Sequence, residues 1–131
     1  MRGLIKNISS NCQGGAAIEM AFILPVMVMM LFGIIELGRL MWAESVLHYA
    51  VAEAARCRSI DTANCGTDAL AQSYAATNAY FMSLAAADFA VGTCTGGKQV
   101  SITYAFSSTL FTLLPGAFTV SVHPVSCYPS P

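Results

Sequence analysis

The chain has 131 residues, 56% of them hydrophobic and only 10% charged, with a formal net charge of −1. Soluble domains average roughly 25% charged and 45–50% apolar residues, so the composition argues against an ordinary water-soluble domain, and the length allows one domain at most. The near-zero charge excludes the basic footprint of a nucleic-acid binder.

In chain order, residues 1–14, MRGLIKNISSNCQG, carry Arg2 and Lys6 and no acid. From Ala16 to Ile35 the only charged residue is Glu19. About 20 apolar residues cross a bilayer as a helix, so this run predicts a membrane span; the other reading is a buried helix of a soluble protein. Basic residues flanking a span stay in the cytoplasm, and after Ile35 acids and bases are mixed (Glu36, Arg39, Glu44). The expected orientation is N-terminus in, C-terminus out. A cleaved secretory signal would have a shorter apolar region followed by a small-x-small site, whereas here the small residues Gly14 to Ala17 precede the run. Pro25 lies inside the run, where it removes a backbone hydrogen bond and bends the helix. It acts either as a simple bend near one membrane face or as a point at which the helix changes shape on assembly.

From Glu36 the pattern becomes one-faced. Leu37, Leu40, Met41, Leu47, Val51, Ala54 and Ala55 recur mostly at three- and four-residue steps, which predicts one helix of about forty residues that is lipid-embedded at first and amphipathic afterwards. Glu36 and Arg39 stand one turn apart and can pair. A polar loop, RSIDTAN, follows Cys57, and Thr67 or Asp68 can cap a second helix over about 68–90, with Leu70, Tyr74, Phe81, Leu84 and Phe89 on its inner face. Residues 91–98 read as a loop. Alternation at Val100, Ile102, Tyr104 and Phe106, and again at Phe118, Val120 and Val122, predicts two half-buried strands. The Pro-rich tail HPVSCYPSP is expected to be irregular. The fold class is α+β: residues 1–14 a leader, 15–58 the transmembrane and extended helix, and 59–131 a small exported domain with a second helix and a small antiparallel sheet.

Five cysteines occupy positions 12, 57, 65, 94 and 127. The four after the span suggest disulfides in an oxidising compartment; no CxxC is present, and His48 and His123 are isolated, so no metal site is expected. Of the three possible connectivities, Cys57–Cys65, which closes a short loop, and Cys94–Cys127, which ties the exit of the last strand to the entry of the first, are favoured. Cys12 has no derivable role.

The basic leader, a glycine, and then Gly15-Ala16-Ala17-Ile18-Glu19 opening a membrane helix together resemble a type IV prepilin signal. The small residues after the glycine resemble the Flp/Tad (tight adherence) branch, and AAIEMAFILPVMVMMLFGIIELGRLMW with AVAEAARCR is similar to the TadE-like minor pseudopilins. Met20 stands where Flp pilins carry tyrosine and TadE-like chains often carry phenylalanine, and the chain is much longer than a Flp subunit; a minor pseudopilin fits better than the major one. The resemblance implies cleavage by a membrane prepilin peptidase between Gly14 and Gly15, with Glu19 then at the fifth mature position. It also implies a place in the inner membrane, with other pilins and pseudopilins, the Tad inner-membrane assembly machinery and membrane lipid as partners, and pilus assembly for adhesion as the function.

Glu19 has a physical rationale of its own. An ionised carboxylate in hydrocarbon costs at least about 2.5–3.5 kcal/mol, so it needs a partner. The α-ammonium group created at Gly15 on a neighbouring subunit would supply one and would fix the register between stacked helices. Alternatively Glu19 sits among headgroups and pairs with nothing. Gly14 and Gly15 suit a peptidase that needs an extended chain, while Gly33 and Gly38 leave close helix approach open. The stretch FTLLPGAF, with Phe111, Leu113, Leu114 and Phe118, is either a docking surface or buried against the long helix. No GxSxG or phosphate loop occurs, so neither catalysis nor a cofactor is expected. The competing reading is an uncleaved, membrane-anchored binding or sensory module.

Overall fold

The computed structural model describes residues 14–80, 82–108 and 119–130. The chain forms an α+β fold that divides into two compact units, residues 1–35 and 36–131.

Helix α1, Gly14–Ile60, spans 47 residues with Pro25 inside it. Its first part, to Ile35, exposes almost every side chain, including Phe22, Met29 and Met30. Its backbone groups are hydrogen-bonded within the helix, so the segment can enter hydrocarbon without orphaned donors, whereas exposing these side chains to water is unfavourable. It is the one described helix long and apolar enough to cross a membrane.

In the second unit α1 buries Ala43, Leu47, Ala50, Val51, Ala54 and Ala55. The expected inner face was too broad: Leu37 and Met41 are exposed and Leu40 is half-buried. The buried face is made largely of alanines instead, with Leu47 and Val51 as its larger side chains. A single break at Asp61 leads into the short helix α2, Thr62–Cys65, so the segment expected as a loop is mostly helical. The Asp61 carboxylate accepts from the Ala63 and Asn64 amides and from the Asn64 side chain, which satisfies the donors that a helix start leaves open.

Helix α3, Asp68–Asn78, is capped by the Thr67 hydroxyl, which accepts from the Leu70 amide at 3.3 Å. It ends well before the expected residue 90 and buries Ala71 and Ala75, leaving Leu70 and Tyr74 at its surface. After a 3-10 turn at Ala86–Asp88, Phe89 opens a strand rather than continuing the helix. Strands β1, Phe89–Cys94, and β2, Gly97–Ile102, form a hairpin across residues read from the sequence as a loop. The hairpin closes through Gly96, whose φ of +84° lies in the region that favours glycine. The alternation over 100–106, expected as one strand, divides into β2 and β3, Tyr104–Ser107, which belong to different sheets.

Strand β4, Thr119–Val122, pairs antiparallel with β3. The tail expected to be irregular forms β5, Val125–Pro129, antiparallel to β2 in the order β1-β2-β5. Proline is tolerated there because β5 lies at the sheet edge. Gly97 is required where β2 meets β5, since a Cβ would collide with the Tyr128 backbone.

One core joins these elements: Leu47, Ala50, Val51, Ala54 and Ala55 of α1, Ala75 and Ala79 of the α3 region, Phe89 of β1, and Val100 and Ile102 of β2. Phe89 and Ile102 face each other across the hairpin. Polar clamps hold its margins: Arg58 to Asp68 at 2.9 Å, the Ser59 hydroxyl to the Tyr128 carbonyl at 3.0 Å, and the Gln72 amide to the Phe89 carbonyl at 2.7 Å. Leu47 is fully buried at the centre of the alanine face. Leu47→Ala is expected to destabilise the second unit by roughly 2–5 kcal/mol in denaturant unfolding.

Candidate functional site

The residues singled out in the sequence fall into three places. Gly14 and Gly15 form the first turn of α1, fully exposed, and a Cβ at either would meet nothing within 4 Å. Among the described residues no contact of these two requires glycine at either position. Their helical conformation differs from the extended chain that a peptidase site calls for, so that cut would need the first turn to open.

Glu19 lies one turn further on, also exposed, and among the described residues nothing hydrogen-bonds or ion-pairs with it. Gly33 and Gly38 likewise have open space at their Cβ positions. Cys12, and the candidate interface residues Phe111, Leu113, Leu114 and Phe118, lie outside the described residues.

The four cysteines after the apolar stretch come together as the two favoured pairs. Cys57 and Cys65 stand at disulfide distance with Cα atoms 5.7 Å apart, and Cys94 and Cys127 likewise at 6.2 Å. The first pair locks the end of α1 to α2. The second joins β1 and β5, the strands flanking β2. Among the described residues no three His, Cys, Asp or Glu side chains gather as a metal site would require.

Sequence reasoning missed a cleft. Arg39, Trp42 and Ala43 of α1, Met82, Ser83 and Leu84 of the connection after α3, and Tyr104 and Phe106 of β3 line a cavity of about 390 Å³. The Arg39 guanidinium donates to Glu36 at 2.8 Å and lies 5.6 Å from the centroid of the Phe106 ring. The charge is thus held by a carboxylate and by an aromatic face. The only trace in the sequence was Arg39 itself, placed where the helix turns from apolar to amphipathic. A second aromatic contact, Tyr49 with Tyr80, stacks at 6.5 Å.

The hydrogen bond from the Asn64 side chain, with those from the Asn64 and Ala63 backbones, holds the Asp61 carboxyl below the usual range. A depressed folded-state pKa stabilises above the unfolded value and is lost as pH falls through the folded one. Amide-exchange protection of α2 is therefore expected to be constant near neutrality and to fall in acid, and Asp61→Ala is expected to abolish that pH dependence. Removing the β1–β5 bridge with Cys94→Ser and Cys127→Ser, which span 33 residues, is expected to cost roughly 2–5 kcal/mol of unfolding free energy.

Residues 14–56 match the family model described as TadE-like protein. No curated protein and no solved structure matches the chain. The matched stretch contains Gly14, Gly15, Glu19 and nearly all of α1, and the similarity to the TadE-like family suggests involvement in Tad pilus assembly, in association with other components of that pilus. Residues 14–56 are therefore similar to the TadE-like family, a match consistent with a TadE-like protein of the Flp/Tad pilus system, and the candidate membrane helix near the N-terminus fits a single-pass membrane protein.

Proposed function

We propose that the chain is a minor pseudopilin, cut between Gly14 and Gly15 by a membrane prepilin peptidase, held in the inner membrane by α1, and taken into or priming a Tad/Flp-type pilus that serves adhesion. The observation that carries this reading is Glu19: a carboxylate in the matched segment, beside an apolar helix and with no partner among the described residues of its own chain. In hydrocarbon such a group costs at least about 2.5–3.5 kcal/mol, a deficit that the α-ammonium of a cleaved neighbour would offset. The basic residues Arg2 and Lys6 support a cytoplasmic N-terminus, and the two cysteine pairs support a periplasmic exported unit.

A second reading, an uncleaved membrane-anchored binding module, is favoured by the Arg39–Phe106 cleft. Intact mass of the membrane-bound protein separates the two. A chain beginning at Gly15 is expected, and one retaining Met1 selects the binding module. Glu19→Ala is expected to leave insertion and leader removal intact while reducing co-purification with pili; normal incorporation of that variant would count against the pairing.

A further inference from the structure

Arg39 is the one charged side chain that lines the cleft beside β3. Its guanidinium donates to Glu36 and lies against the Phe106 ring. The two members of the ion pair are unequally covered, however: the Glu36 side chain is 14% exposed and that of Arg39 51%. The carboxylate is thus largely enclosed while the cation stays accessible. A guanidinium carries five N–H donors in a planar fork that matches phosphate oxygens, and this one is already positioned by its own unit. The Ser83 and Tyr104 hydroxyls line the same cleft, and neither has a hydrogen-bond partner among the described residues. No carboxylate lines it, and Ala43, Met82 and Leu84 give it apolar walls. Its volume of about 390 Å³ lies within the range of small-ligand sites, roughly 300–1,000 Å³. A cation and hydroxyl donors set among apolar walls suit an amphiphile with an anionic group in its head.

Two observations select the amphiphile. The uncharged run of α1 ends at Ile35, and Arg39, Trp42 and Ala43 follow on the same helix within the next eight residues, about two turns. Basic and aromatic residues just past an apolar span are the ones that meet the headgroup layer of a bilayer, where the amphiphile at hand is the membrane lipid itself. The second observation is charge. From Glu36 onward the chain has four basic residues, Arg39, Arg56, Arg58 and Lys98, against six acidic ones. Without a basic cluster there is no field to gather anionic lipids, so recognition falls to the phosphodiester of a lipid that carries no net charge.

We propose that the cleft binds one zwitterionic glycerophospholipid of the surrounding membrane. Its phosphodiester meets Arg39, Ser83 and Tyr104, and the start of an acyl chain lies along Met82 and Leu84. The inference rests on membrane anchoring by α1, which both readings of the function share, and not on leader removal or on the Glu19 contact.

Trp42 lines the cleft and is the only tryptophan in the sequence, so its fluorescence reports on this place alone. The test reconstitutes the full chain in phosphatidylcholine vesicles containing a graded fraction of the same lipid brominated near the head of its acyl chains. Arg39→Gln removes the cation, and Ser83→Asp sets an acid at an exposed position of the cleft; neither residue belongs to the core. Quenching of the unaltered chain is expected to saturate, at a brominated fraction about tenfold lower than either variant requires, the ratio that one lost charge-assisted hydrogen bond produces. Both cysteine pairs, read by intact mass, are expected to persist in the variants. Glycerophosphocholine, the same head without acyl chains, and inorganic phosphate are expected to leave the quenching unchanged; relief by either would make this a site for free phosphate and overturn the lipid. Equal quenching in all three chains, or quenching that only rises in proportion to the brominated fraction, would overturn it too. So would a Trp42 shielded from brominated lipid and aqueous iodide alike, which puts protein in the cleft. Extraction with carbonate separates this proposal from the anchoring beneath it. A chain released by carbonate overturns both, whereas a resistant chain without saturable quenching overturns the lipid site alone.

Discussion

Everything in this chain depends on one helix whose surroundings change along its length. From Gly14 to Ile35 the backbone satisfies itself and almost all of the side chains are exposed, a combination that suits lipid and penalises water. From Glu36 the same helix supplies one wall of a folded core. Glu19 stands at one end of the apolar stretch and the Arg39–Glu36 pair just beyond the other. The two charged sites differ in kind. Arg39 is held by a carboxylate and an aromatic ring of its own unit, whereas Glu19 has no such support among the described residues.

The second unit is small, and its core is correspondingly economical. Alanine dominates the contact between α1 and its neighbours, which permits close approach but limits the apolar area buried, about 25 cal/mol for each Å². Stability must then come from connections as well as burial. The cysteine pairs fasten α2 to the end of α1 and β5 to β1, and the Arg58–Asp68 and Ser59–Tyr128 contacts tie the end of α1 to elements that follow it. Small domains that cannot build a large core use covalent staples in this way.

The N-terminal end of α1 presents the exposed glycine pair and Glu19, the latter without a partner among the described residues. A subunit made for assembly would carry unsatisfied surfaces of this kind, since a surface complete in the monomer leaves nothing for a neighbour to relieve.

The candidate span was legible from composition alone, because sixteen uncharged residues in succession, Met20 to Ile35, admit few environments; so were the continuity of α1, the Glu36–Arg39 pair, the Thr67 cap and the α+β class, all of which are set largely by interactions within a turn or two of chain. Other features needed the tertiary structure. Helix α3 stops at Asn78 and Phe89 becomes a strand because its ring is buried opposite Ile102, a contact between residues distant in sequence. The alternation through 100–106 says which residues share a face but not that β2 and β3 join different sheets. The proline-rich tail becomes β5 because β2 offers it an unpaired edge, and an edge is invisible until the strands are placed. Local hydrogen bonding and solvent preference are written into neighbouring residues, whereas strand partners and clefts arise only when remote segments meet.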